Sequence, residues 1–142
     1  MMRSKILTIS AAVSFLLIGA SILTTRATKA QSNRVFELRT YTCNEGKLPD
    51  LLKRFRDHTV TIFNRHHMTS IGYWVPQDAP RSNDTLIYVL AHPSREAAKT
   101  NWDAFRNDPE WQKVQKESEA NGKIVSRVDS VYMNPADFSG IK

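Results

Sequence analysis

Trp102-Asp103-Ala104-Phe105-Arg106-Asn107-Asp108-Pro109-Glu110-Trp111 sets two indoles and a phenyl ring around an Asp-Pro step, with helical patterning on either side. A short acceptor side chain such as that of Asp108 satisfies the free N–H groups of a helix's first turn. Pro109 lacks an N–H at a position where none is needed. The stretch therefore predicts that one helix ends near Arg106 and another begins at Pro109. Upstream, Ser94 is placed to cap the first helix; downstream, Asn121-Gly122 is a stop for the second.

Working outward, Val35 to Tyr41 alternates and is rich in strand formers. Asn44-Glu45-Gly46 turns the chain. Leu48, Leu51, Leu52, Phe55, Thr59, Ile62, Phe63 and His66 then recur at the three-four spacing of a helical stripe, with Pro49 tolerated in the first turn. Ile71 to Val75 and Thr85 to Ala91 read as strands, separated by the polar segment 77–84, and Ile124 to Met133 as the last strand. The order β-α-β-β-α-α-β is a ferredoxin-like α+β pattern whose second helix is split: a four-stranded antiparallel sheet with helices on one face.

The run from Trp102 to Gln112 (W-x-x-F-R-x-D-P-E-W-Q) resembles the signature of the NIPSNAP family. Val35-Phe36-Glu37-Leu38-Arg39-Thr40-Tyr41, with Gly46-Lys47-Leu48 after it, is similar to that family's opening strand and first-helix entry. The resemblance extends from about Val35 to Phe138. A half-apolar sheet face left bare by the helices must meet something. The resemblance implies that a second copy covers it, forming a homodimeric α+β barrel with an interior cavity where relatives place ligands. It does not imply one activity, because the family has no single agreed one.

Residues 1–30 stand apart. Arg3 and Lys5 precede an apolar run from Ile6 to Leu23, and Thr28-Lys29-Ala30 follows with small residues at cleavage-site spacing. This is the layout of a secretory signal peptide, with an uncleaved membrane anchor as the alternative. Export to the periplasm or the exterior is the corresponding expectation, and residues 31–142 form the folded domain. The whole chain carries 20 basic and 14 acidic residues, net +6. Arg3, Lys5, Arg26 and Lys29 belong to the leader, so the domain itself is at +2 and gives no case for nucleic acid as a partner. Cys43 is the single cysteine, so no internal disulfide forms, and burial of the thiol is expected.

Alternation in the first strand puts Phe36 and Leu38 on one side, expected toward the helices, and Glu37, Arg39 and Tyr41 on the other. In a dimeric barrel the latter three would line the cavity. Arg39 can anchor a carboxylate or enolate, and Tyr41 can donate a proton. The competing reading is a Glu37–Arg39 ion pair of purely structural use. Tyr73 and Trp74 are consecutive, so one faces the helices and the other the cavity; Tyr88 is equally ambiguous. His58 and His66 lie on the first helix without metal-ligand spacing. His58 is kept as a ligand candidate only because some related barrels bind haem through a helical His. His66 continues the apolar stripe as a core or helix-end group, and His92 precedes Pro93 at a strand–helix turn. No metal or cofactor is expected, and five glycines form no phosphate loop. Trp102, Phe105 and Trp111 are expected to pack the helix break against the core. The leading reading is a barrel that binds a small hydrophobic or aromatic ligand, or an interaction module. The alternative is a cofactor-independent monooxygenase or isomerase similar to the antibiotic-biosynthesis monooxygenases, with Glu37 as its only nearby base.

Overall fold

A computed structural model of the chain describes residues 34–142; the leader expected at 1–30 lies outside the described residues. The chain runs β1 (Val35–Cys43), α1 (Leu48–Arg54), a π-helical turn (Phe55–Thr59), α2 (Val60–Arg65), β2 (Thr69–Trp74) and a short 3-10 turn (Arg81–Asn83). It continues as β3 (Thr85–His92), α3 (Arg95–Arg106), α4 (Pro109–Ser118) and β4 (Val125–Met133). The strands form one antiparallel sheet in the order β2-β3-β1-β4. This is the ferredoxin-like α+β arrangement that the pattern predicts.

The helix break forms as its residues dictate. Ser94 Oγ accepts from the Ala97 N–H and caps α3. Asp108 Oδ1 accepts from the Glu110 and Trp111 N–H groups, and Pro109 opens α4. The other Asp108 oxygen binds Arg65 Nη2 at 2.8 Å and His66 Nε2 at 2.6 Å, tying the cap to the end of α2. His66 thus serves as a helix-end group, though for the neighbouring helix pair as well as for its own. Asp108→Ala removes both functions and is expected to cost about 2 kcal/mol. Asp108→Asn keeps the cap and is expected to cost less than half of that, measured by urea denaturation.

The predicted single helix from Leu48 carries a π-helical turn at its centre. The Val60 N–H reaches back five residues to the Phe55 carbonyl, and Thr59 Oγ1 donates to the Arg54 carbonyl at 3.2 Å. Such a turn holds one more residue than an α-turn, which three-four periodicity does not reveal.

The faces of β1 are the reverse of the expectation. Glu37, Arg39 and Tyr41 point toward the helices. Glu37 bonds Trp102 of α3, and the Tyr41 ring lies 6.0 Å from that of Phe55. They share this side with Leu86, Tyr88 and Leu90 of β3, all buried. Phe36 and Leu38 therefore lie on the face without helices, where Phe36 is buried beside Ile71, Val89 and the C-terminal segment. The expectation failed because it assigned the apolar pair to the core, whereas the polar set is the one whose hydrogen bonds remote residues complete.

The core lies between this sheet face and the helices, and it is largely aromatic. Phe63 sits 5.5 Å from Trp102 and 4.9 Å from Phe105, while Phe105 meets Trp111 at 4.5 Å. Trp102 and Phe105 are buried and Trp111 packs at the margin, as expected of the signature aromatics. Tyr73 and Tyr88 stack at 5.6 Å inside this core, and the Cys43 thiol is buried at its edge, which pushes its pKa up to about 11. On the opposite face Trp74 is 53% exposed, with its ring folded over Gly72 so closely that a Cβ there would lie 2.5 Å from the indole.

Candidate functional site

At position 37 of β1 a carboxylate is almost wholly removed from water, at 1% exposure. An ion so placed needs all its acceptor sites filled. Oε1 accepts from Arg39 Nη1 and Ser130 Oγ, each at 2.7 Å. Oε2 accepts from Trp102 Nε1 at 2.6 Å and from His92 Nε2 at 3.1 Å. Burial pushes the Glu37 pKa up, but the bonds from His92, Ser130, Trp102 and Arg39 outweigh it and bring the carboxyl down to about 2. An ionised acceptor fixes the tautomer of His92: Nε2 carries the proton toward Glu37, and Nδ1 is buried without a partner.

Strand registry and one helix assemble this cluster. His92 lies on the same face of β3 as Tyr88 and Leu90, and Ser130 on β4 is directly opposite Arg39 on β1. Trp102 descends from α3, and the Arg39 guanidinium lies 4.1 Å from the centre of its ring. Burial lowers the Arg39 pKa, yet the neighbouring Tyr41, Tyr88 and Glu37 hold it above its ordinary value. The Glu37–Arg39 pair at 2.7 Å is thus the anchor of a larger network.

Next to the cluster, a cleft of about 230 Å³ opens between the π turn, α4 and the edge strand β4. Tyr41, Phe55, Phe63, Phe105 and Trp111 line it, with Arg54 at the side of α4. Arg54 is buried; its Nη1 reaches Ser118 Oγ and Glu119 Oε1, both at 3.3 Å, and its Nε has no partner.

The structure divides the candidates of the sequence. Tyr41 reaches the aromatic cleft. Glu37 and Arg39 stand on the same strand face four and two residues away. Tyr73 and Tyr88 fill the core: the Tyr73 hydroxyl pairs with Ser70 Oγ at 2.6 Å, and burial raises the Tyr88 pKa well above its usual range. Trp74 lies on the far face of the sheet. His58 is exposed on the π turn, in a groove shared with Asp50, Asp57 and Glu117, away from every other candidate.

Sequence reasoning missed His92, Ser130 and the donor role of Trp102. For His92 a signal existed: it continues the face set by Leu86, Tyr88 and Leu90 at two-residue spacing. For Ser130 none did, because its partner is 93 residues away.

The NIPSNAP family model matches residues 36–140 of this chain. The chain belongs to the NIPSNAP family. A NIPSNAP family protein from Agrobacterium tumefaciens superposes with a TM-score of 0.67 at 22% identity, covering 77% of this chain and 99% of that one. A NIPSNAP-like domain protein from Burkholderia xenovorans gives 0.66 at 17%, covering 76% and 90%. A Streptomyces coelicolor monooxygenase, solved with nanaomycin D, gives 0.52 at 13%, covering 72% and 87%. At these identities the likeness is one of fold. No curated relative matches the sequence. Within the NIPSNAP domain both signature segments have defined tasks: the opening strand carries Glu37, Arg39 and Tyr41, and the Trp102–Trp111 segment supplies the indole donor and the aromatic cleft wall.

Proposed function

We propose that this NIPSNAP protein is a non-catalytic binding module that holds a small hydrophobic or aromatic molecule between its sheet and helices. The observation that carries the reading is the aromatic cleft beside Tyr41, Phe55 and Trp111. A dry apolar cavity of about 150 Å³ accepts benzene, so about 230 Å³ suits a one- or two-ring compound. Aromatic rings form one wall and polar side chains, among them Arg54, Gln115, Glu119 and Arg127, the other, which suits a ring that carries a polar group.

The enzyme reading is weaker. It needs Glu37 as a base, and each oxygen of that carboxylate already accepts two bonds out of contact with water. No lone pair remains to take a substrate proton.

The same proposal includes export through the leader and pairing of two copies through the sheet face that carries no helix. That face carries Trp74 and Val131, 53% and 55% exposed, beside Phe138 of the C-terminal segment at 90%. Exposed apolar groups of this size, gathered on one face, are what a homodimer covers.

The test is native mass spectrometry of protein purified from cells expressing the full sequence, with added 2-naphthol as the probe. A dimer that takes up one naphthol per chain, with Trp111→Ala weakening uptake about tenfold, is the expected result. A bare monomer would remove the barrel. A dimer that takes up no naphthol, or does so equally well with alanine at 111, would remove the binding reading.

A further inference from the structure

Beyond the Glu37 cluster, between α3 and the end of β4, lies a second and more open cleft of about 520 Å³. Its lining holds four cations, Arg39, Arg95, Lys99 and Arg106, against two carboxylates, Glu37 and Glu96. Both carboxylates are ionised and, with Asp103 at the rim, leave the cleft one positive charge in excess. Glu37 is consumed by its four donors. Glu96 sits in the first turn of α3, where its own backbone N–H and Ser94 hold its carboxyl below the usual range. Lys99 and Arg106 share Asp103, at 2.9 and 2.6 Å.

The two remaining guanidiniums are held flat. Arg95 lies 4.2 Å from the centre of the Tyr132 ring and, among the described residues, forms no ion pair. Arg39 lies 4.1 Å from the centre of a Trp102 ring; its Nη1 binds Glu37, and its Nε is buried without a partner. A ring beneath a guanidinium fixes its plane; exposed Arg95 keeps its N–H edge open to solvent, whereas the Arg39 Nε is closed off. The Nε–Nη2 edge is the one that meets a carboxylate with two parallel bonds.

We propose that this cleft is a binding site for a small di- or tricarboxylate, gripped edge-on by Arg95 and attracted by Arg39, Lys99 and Arg106. A guanidinium fork suits either anion, but two features favour carboxylates over phosphates. No glycine lines the cleft to bring backbone N–H groups close. The N-terminus of α3 is already capped by Ser94. The site does not depend on the aromatic cleft and takes a different class of ligand.

Protein from cells expressing the full sequence is titrated with citrate at about 10 mM ionic strength, followed by amide and indole NMR signals. Sodium chloride at matched ionic strength is the control. Saturable shifts at Arg95, Ser130, Tyr132 and the Trp102 indole are the expected result. Arg95→Ala, which touches only an exposed side chain, should weaken citrate at least tenfold without moving the thermal midpoint by more than a few degrees. Arg95→Lys should restore part of the affinity, and Lys113→Ala on α4 should leave it unchanged. The proposal is overturned if the shifts do not saturate, if sodium chloride reproduces them, or if Arg95→Ala binds citrate as wild type does. Inorganic phosphate binding more tightly than citrate would overturn the choice of carboxylates.

Discussion

Glu37→Ala should lower folding stability by about 3–5 kcal/mol, read as a fall in the urea midpoint at neutral pH. The loss comes from what the carboxylate leaves behind: the Arg39 guanidinium, the His92 and Trp102 N–H groups and the Ser130 hydroxyl would face a void without an acceptor. The same cluster gives stability a defined pH dependence. Glu37 titrates near 2 in the folded chain against 4.5 ordinarily, so folding favours its ionised form. Its contribution is complete above about pH 4.5 and fades as pH falls toward 2, by on the order of 3 kcal/mol in all. Asp108, held low by Arg65 and His66, adds a trend of the same sign. The share of Glu37 is therefore the difference between wild type and Glu37→Gln, whose stability should fall less over that interval. Parallel acid profiles for the two proteins would contradict the assignment.

Trp102→Ala should cost a similar amount, about 3–5 kcal/mol, because it both empties core volume and withdraws a donor. Trp102→Phe separates the two effects. A phenyl ring keeps most of the packing against Phe63 and Phe105 but has no N–H for Glu37, so about 1.5–3 kcal/mol is expected from the lost bond to a buried charge. If the bond is the cause, the Phe substitution should cost on the order of 1–2 kcal/mol less when Glu37 is already alanine. Equal costs in both backgrounds, measured by urea denaturation, would assign Trp102 to packing alone.

Much of the fold was legible because its punctuation is local. Ser94, Asp108-Pro109 and the glycines at 46 and 122, which adopt positive φ, are read from one or two residues of context. The strands followed from alternation. Which face of β1 looks inward was not legible, because that depends on the partners of Glu37. Its acceptors are filled from positions 39, 92, 102 and 130, three of them distant in sequence. The sequence offers Glu37 only Arg39 as a partner and a place in a barrel cavity; the three remote donors that bury it come together only in the assembled sheet. The aromatics were easier: Trp102, Phe105 and Trp111 are too large to leave solvated, so their packing against the helix break was foreseeable, while the hydrogen bond from Trp102 was not.

The wide turn at Phe55–Thr59 bears on which insertions and deletions this chain can accept. Removing one residue from it would let the helix close with ordinary four-residue bonds, at no cost in backbone pairing. Because the wide turn fits five residues into nearly the arc that four take in an α-turn, Ile62 and Phe63 would keep their places in the aromatic core that now buries them. The same deletion elsewhere in α1 or α2 would rotate everything beyond it by about 100° and pull those side chains out of the core. The loop at 77–84 is exposed and has no such core beneath it, so other changes of length in this domain should accumulate there.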